Sequence, residues 1–92
     1  MDIHQKGGEE KGYFEAEKEG RSAGQMHYTW AGTDRIIIDH TEVADEFRGE
    51  GVGNQLLHKL VDFARNKQIK VIPLCPFAKS VFDKEPDLRD VL

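Results

Sequence analysis

The 92-residue sequence contains a single cysteine, Cys75, and no long run of apolar residues. One thiol excludes an intrachain disulfide and any metal site built from several thiolates, and it is typical of a protein in a reducing compartment. A helix that crosses a bilayer needs about 20 mostly apolar residues, and no segment approaches that length. The polar, acidic amino terminus differs from the basic and apolar start of a signal peptide. We therefore expect a cytoplasmic protein with no membrane partner and no bound metal.

Basic residues are too few for a general affinity for nucleic acid. Thirteen lysines and arginines stand against 17 aspartates and glutamates, which gives a formal net charge of −4. Proteins that bind nucleic acid or anionic membranes mainly through charge carry the opposite balance. Any anion site must therefore be local, and we expect no nucleic-acid partner.

The length of the chain predicts one folded unit. Domains usually have about 100–200 residues, so we expect a single domain over residues 1–92. A chain of this size buries about 60% to 70% of its unfolded surface, which permits a modest core but no deep internal cavity. Any ligand site is therefore expected in a surface cleft. The sequence indicates no oligomeric state and is compatible with a monomer.

Alternating apolar residues and turn signals predict strands in the first half of the chain. The predicted strands cover residues 12–17, 23–30 and 35–43, with a weaker one near 3–5. From Val52 the apolar residues recur at steps of three and four, which predicts an amphipathic helix over 51–67.

Strand character returns after that helix, from Ile69 to Leu74, and Pro76 can then open a second helix that runs to about Lys84. A strand, a helix and a strand in this order predict a parallel pair joined by a right-handed crossover. The sequence thus predicts an α/β (α+β) fold with a mixed, mostly antiparallel sheet, one parallel β-α-β crossover and a short C-terminal helix.

The most informative segment is the turn that opens the long helix, Arg48-Gly49-Glu50-Gly51-Val52-Gly53. A glycine near a helix start costs roughly 0.5–1 kcal/mol relative to alanine, so three together indicate positive φ angles or close approach by another group. Unpaired N–H groups and the helix dipole make such a start an anion site, and the arginine can add a charged hydrogen bond. A plain connecting turn is the alternative. A Walker-type loop is excluded because no Lys-Ser/Thr pair follows, and a dinucleotide fingerprint because its last glycine is missing.

These six residues resemble the Arg/Gln-x-x-Gly-x-Gly/Ala signature of the GNAT acetyltransferase superfamily, in the expected strand–loop–helix context. The resemblance extends to residues 38–43 and 71–77, covers about residues 35 to 83, and is nearest to the small single-domain subfamily of the YjdJ type. Two features depart from the family pattern. The chain is far shorter than a full-length member, so much of the usual acceptor-binding region is missing, and three carboxylates crowd the expected anion site. Those carboxylates, Asp45, Glu46 and Glu50, are expected to point away.

The resemblance implies an N-acetyltransferase that binds acetyl-CoA and transfers the acetyl group to an amine acceptor that the sequence does not identify. It implies that the backbone of Thr41, Glu42 and Val43 pairs with the pantetheine arm of coenzyme A. It also implies that the loop wraps the pyrophosphate, through Arg48, Gly49, Glu50, Gly51, Val52 and Gly53, and that Pro76 and Phe77 complete the cofactor site. A non-catalytic acyl-CoA-binding module is the alternative, and a generic phosphate-binding or protein-interaction domain is a third reading.

Three residues near the end of the predicted sheet suggest the chemistry. Pro73 has no N–H for a neighbouring strand, so pairing should stop there and leave a gap of the kind that holds pantetheine in GNAT-like folds. Cys75 precedes Pro76 and should cap the second helix, where a thiol can act as a nucleophile. By strand alternation His40 shares a face with Ile38, and we predict that it activates Cys75.

Two alternatives to that catalytic pair stay open. Free cysteines are often buried and act as small hydrophobic residues, which would make Cys75 structural. In the other alternative, a carboxylate such as Glu42 or Asp39 deprotonates an amine that attacks the thioester directly.

Overall fold

The computed structural model describes residues 1–92 and contains one five-stranded sheet whose strands lie in chain order. Strands β1 to β4 are antiparallel neighbours, and β5 pairs with β4 in parallel. Their bounds are Asp2–Gly7 (β1), Lys11–Lys18 (β2), Arg21–Trp30 (β3), Arg35–Val43 (β4) and Lys70–Pro73 (β5). The predicted α/β fold with a mostly antiparallel sheet and one parallel crossover is confirmed, and the weak first strand is a full strand of six residues.

The chain contains two α-helices. Helix α1, over Val52–Lys67, connects β4 to β5, and helix α2, over Pro76–Lys84, follows β5. Both agree with the predicted spans. Short 3₁₀ helices precede α1 and follow α2, over Asp45–Phe47 and Pro86–Val91. Basic residues lie in the last turn of α1, where they face the negative end of its dipole. No helix combines the length and the apolar composition that crossing a bilayer requires.

The core lies between the helices and one face of the sheet, and 22 buried residues form one cluster there. Phe63 of α1 packs against the rings of Phe14, Tyr28 and Trp30, at centroid distances of 5.9, 6.0 and 6.2 Å. These contacts fix α1 across β2 and β3.

Strand β4 contains a bulge that changes which of its side chains share a face. His40 opposes His27 and Ile38 opposes Tyr28, so Asp39 is an extra residue with no partner in β3. An extra residue shifts the alternation of side chains along a strand by one position. Thr41 therefore follows Ile38 onto the core face, and His40 lies on the opposite face. The predicted alternation is wrong at this point because the sequence does not show where a bulge falls.

Candidate functional site

A surface groove of about 380 Å³ lies between the loop that follows β4 and the helix α2. Seven of the predicted cofactor residues line it, namely Val43, Arg48, Gly49, Gly51, Val52, Gly53 and Phe77. Thr41, Glu42, Glu50 and Pro76 do not line this groove. The predicted surface cleft is thus present, and most of the predicted loop lies along it.

The start of α1 presents free backbone donors to this groove. Gly49 and Gly51 adopt φ angles of 84° and 74°, in the left-handed region that favours glycine. The first backbone hydrogen bond of the helix runs from the N–H of Gln55 to the carbonyl of Gly51, 3.0 Å away. No side chain caps this end, and the amides of residues 52–54 have no backbone acceptor. Such an uncapped helix start is a ready site for an anion.

A side chain at position 53 would displace a neighbouring ring. A Cβ at this position would lie 2.6 Å from the ring of Phe77. Phe77, in the first turn of α2, is 39% exposed and also lines the groove. The absence of a side chain at residue 53 therefore allows α1 and α2 to approach, and it leaves the Phe77 ring against the loop.

Two of the three loop carboxylates turn toward the β2–β3 hairpin. Glu46 pairs with Arg21 and Glu50 with Lys18, each at 2.7 Å. The hydrogen bond from Lys18 to Glu50, together with the charge of Glu50, raises the pKa of the Lys18 ammonium, so this lysine is charged at neutral pH. The expectation that the loop acids point away holds for these two.

Asp45 is the exception, because it pairs with Arg48 at 3.0 Å within the loop itself. Both side chains are largely exposed, 89% for Asp45 and 74% for Arg48. An ion pair this exposed contributes little stability. The guanidinium can therefore exchange Asp45 for another anion at small cost.

The end of the groove near the C-terminus of α2 carries charges that the sequence analysis missed. Glu85 accepts hydrogen bonds from Asn54 Nδ2 at 2.7 Å and pairs with His58 Nε2 at 3.0 Å. The hydrogen bond from Asn54, followed by that from His58, lowers the pKa of the Glu85 carboxyl. Ser80 and Lys84 line the same end. The sequence does contain a pattern that predicts the position of Ser80 and Lys84. Phe77, Ser80 and Lys84 are separated by three and four residues, and residues at these separations lie on one face of a helix.

Pairing between β4 and β5 stops at Ile38 and Pro73, as predicted from the proline. Cys75 caps α2 and Pro76 is its first residue, also as predicted, and the N–H of Cys75 donates to the carbonyl of Ile38 at 3.1 Å. Beyond this point residues 39–43 of β4 have no neighbouring strand on the β5 side. The free edge of β4 therefore begins at the gap and leads to Val43 at the groove.

The structure does not bring Cys75 and His40 together. Cys75 is 4% exposed, and its Sγ lies 3.4 Å from Thr41 Oγ1 on the core side of β4. The His40 ring stacks on His27 at 4.5 Å, and its Nε2 lies 3.7 Å from the Glu42 carboxylate. The predicted contact between the thiol and the imidazole is wrong, because the bulge at Asp39 places Thr41 where His40 was expected.

The outer face of β4 carries a second group of polar side chains. His27 stacks between His40 and Tyr13, and its Nε2 lies 2.9 Å from Gln25 Oε1. Burial lowers the pKa of His27, and the neighbouring His40 lowers it further, so the His27 ring is neutral near pH 7. The Asp39 carboxylate accepts a hydrogen bond from Thr29 Oγ1. Among these groups His40 has a largely exposed side chain, at 55%.

Comparison with known proteins supplies independent information on the family and the fold. Residues 13–91 match the family model of the GCN5-related N-acetyl-transferase. A curated relative, Protein NATD1 of Xenopus tropicalis, is 29% identical over 59 residues, which are 64% of this chain and 54% of that protein. The chain thus matches about half the length of this relative.

Two solved structures extend the comparison. The NMR structure of a GCN5-like protein from Staphylococcus aureus is 38% identical, with a TM-score of 0.71, and the match covers 96% of this chain and 85% of that one. The aminoglycoside N-acetyltransferase AAC(6')-Iy, solved with the bisubstrate analogue CoA-S-monomethyl-acetylneamine, is 16% identical, with a TM-score of 0.60 and coverages of 89% and 63%. This second likeness is one of fold alone. Since the family model matches most of the chain and the S. aureus relative aligns along nearly all of it, this protein belongs to the GCN5-related N-acetyltransferase family.

Proposed function

We propose that this protein is an acetyl-CoA-dependent N-acetyltransferase and that the groove beside α1 holds the diphosphate of acetyl-CoA. The observation that carries the proposal is the uncapped helix start, with free amides at residues 52–54 along the groove. Arg48 and Lys84 add two cations to the same lining. Amide donors, a helix dipole and cations together favour a phosphate ligand. Membership of the family, and the CoA analogue bound to a protein of the same fold, support acetyl-CoA as that ligand.

The rest of the cofactor follows the free edge of β4. We propose that the backbone of Thr41, Glu42 and Val43 hydrogen-bonds the pantetheine arm, as an added strand would. This stretch has no β5 neighbour, and it joins the gap at Pro73 to the groove at Val43. Pro76 and Phe77, at the start of α2, would flank the arm on its other side. Glu50, held by Lys18, would contribute its backbone rather than its carboxylate.

Acetyl transfer requires the acceptor nitrogen to attack the thioester carbonyl carbon while the C–S bond breaks and coenzyme A leaves. The amine must also lose a proton, which a general base accepts. We assign that role to His40, because its exposed imidazole lies on β4 beside the proposed pantetheine site and 3.7 Å from Glu42. The Glu42 carboxylate would stabilise the imidazolium that forms.

A covalent route through Cys75 is the rival mechanism. In that route the thiol attacks the carbonyl carbon, coenzyme A leaves, and the amine then takes the acetyl group from the cysteine. The position of Cys75 at the gap between β4 and β5 favours this route. Its burial and its contact with a hydroxyl instead of an imidazole oppose it, so we propose direct transfer.

Titration of the ¹⁵N-labelled protein with acetyl-CoA tests the cofactor site. We expect saturable amide shifts at residues 49–54 and 41–43, and none in the β1 strand. Ligand at 100 times its dissociation constant should also add about 2.7 kcal/mol of stability. Unmoved loop amides at saturating acetyl-CoA would contradict the proposal.

Turnover is tested separately by coenzyme A release in the presence of a panel of amines. Coenzyme A release that depends on an amine supports the proposal that the protein is an N-acetyltransferase. Binding without release for every amine would instead identify a non-catalytic acyl-CoA-binding module.

A further inference from the structure

The tip of the β2–β3 hairpin contacts the glycine loop through two ion pairs. Lys18 reaches Glu50 and Arg21 reaches Glu46, both at 2.7 Å. Glu19 and Gly20, which lie between the two cations, have φ angles of 55° and 78°, as in a tight two-residue hairpin turn. A single short turn therefore presents two cations to carboxylates on either side of Arg48.

The hairpin by itself does not explain these two cations. Lys18 and Arg21 lie directly opposite each other in the β2–β3 register. Like charges in that position destabilise a strand pair. Lys18 also lies 5.9 Å from the ring centroid of Phe47, which is buried at the base of the loop. The positions of Lys18 and Arg21 are therefore unfavourable for the pairing of β2 with β3 and favourable for contact with the loop.

The effect of the two pairs at the loop is electrostatic. Residues 45–50 contain three carboxylates and one cation, a net charge of −2, which the two hairpin cations bring to zero. A loop with a net negative charge would repel a diphosphate. The paired carboxylates are also held toward the hairpin, and neither one lines the groove.

We propose that Lys18 and Arg21 are positioning residues for acetyl-CoA, which hold Glu50 and Glu46 paired and away from the diphosphate without touching the ligand themselves. The inference rests on the proposed function, because it assumes a dianion at the start of α1. It adds a requirement that the loop signature does not contain: the anion site depends on charges supplied by a separate hairpin.

A double-variant binding experiment tests this proposal, with acetyl-CoA as the probe and calorimetry as the readout. Lys18→Gln frees the Glu50 charge. For a separation of roughly 8 Å in water, one extra charge should weaken binding of a dianion about fivefold at low ionic strength. At about 0.15 M salt the loss should shrink to about twofold, because the Debye length is then about 8 Å. Lys18→Gln/Glu50→Gln should regain the affinity that the single variant loses, because the freed carboxylate is gone and Glu50 would contribute only its backbone to the site.

The matched control is Lys11→Gln, which makes the same charge change at the other, exposed end of β2. It lies seven positions from Lys18 along the strand, a distance of about 23 Å, so we expect unchanged affinity for acetyl-CoA. All variants should melt close to the wild type, because exposed ion pairs contribute little to stability.

Three results would overturn the proposal. Wild-type affinity for Lys18→Gln at low salt would show that the pair has no influence on binding. A double variant as weak as the single one would show that Lys18 acts by direct contact with the ligand. An equal loss of affinity for Lys11→Gln would show that the effect comes from the overall charge of the protein and not from the pair at the loop. Failure of the proposed function is recognised separately, because the wild-type protein would then show no binding at all.

Discussion

Replacing Gly51 with alanine is the most direct perturbation of the proposed anion site. Gly51 caps α1 at a φ angle of 74°, and an added Cβ would meet no atom of the protein. The cost to folding is therefore conformational, about 1–2 kcal/mol for an ordinary residue in the left-handed region. In a chain of this size that corresponds to a melting temperature about 5–10 °C lower.

The effect on binding should exceed the effect on folding. Gly51 lines the groove, so the new methyl group occupies space at the wall where the diphosphate is proposed to lie. Loss of one charge-assisted hydrogen bond is worth about 1.5–3 kcal/mol, and each 1.36 kcal/mol is about tenfold in affinity. We expect acetyl-CoA to bind Gly51→Ala at least about tenfold more weakly, as measured by calorimetry at a temperature where the variant is folded.

Gly32→Ala is the matched control for this experiment. Gly32 has a φ angle of 77° and lies in the turn before β4, at the far end of that strand from the loop. Its added Cβ would have an ordinary contact of 3.7 Å with Asp34. We expect the same fall in melting temperature with unchanged affinity for acetyl-CoA. Equal affinities for the two alanine variants would refute the placement of the ligand beside Gly51.

Three further outcomes are expected. His40→Gln should lower kcat about 10²- to 10⁴-fold, the range for loss of a general base, while the dissociation constant of acetyl-CoA stays the same; retention of kcat would remove His40 from the mechanism. Cys75→Ser should retain amine-dependent coenzyme A release, and the wild-type protein should show no acetyl adduct on Cys75 by intact mass. If the wild-type protein carries an adduct, and the variant loses both the adduct and the activity, the covalent route is established instead. Because the pKa of His27 is lowered in the fold, the unfolded chain binds more protons near pH 6, so stability should fall as pH drops below the ordinary pKa of about 6.5. His27→Gln should flatten that fall in denaturant titrations between pH 7 and 5, and an unchanged slope would assign it to other groups.

The sequence predicted those parts of the molecule that local patterns determine. The span of β4 agrees with its β-branched run, and α1 and α2 begin where glycine and proline mark the turns. The end of strand pairing at Pro73 followed from its missing N–H. Each of these signals involves neighbouring residues, so no tertiary contact was needed to interpret them.

Contacts between distant residues could not be predicted in the same way. The bond between Asn54 and Glu85 joins residues 31 positions apart, and the pair of Lys18 with Glu50 joins residues 32 apart. The three loop carboxylates looked unfavourable for an anion because the sequence does not show that Arg21 and Lys18 reach two of them. The bulge at Asp39 is a similar case, since one unpaired residue reversed the predicted faces of His40 and Thr41.

That bulge also determines on which face of β4 each of the proposed reactive side chains lies. Before it, Ile36 and Ile38 face the core; after it, Thr41 takes the core side and contacts Cys75. His40 consequently lies with Glu42 on the exposed face. Without the extra residue His40 would occupy the inner position, where a buried imidazole would need a partner or cost about 1–3 kcal/mol. The bulge therefore presents the proposed base to solvent, from which an amine can approach, while the end of β5 at Pro73 leaves the edge of β4 free where the cofactor is proposed to bind.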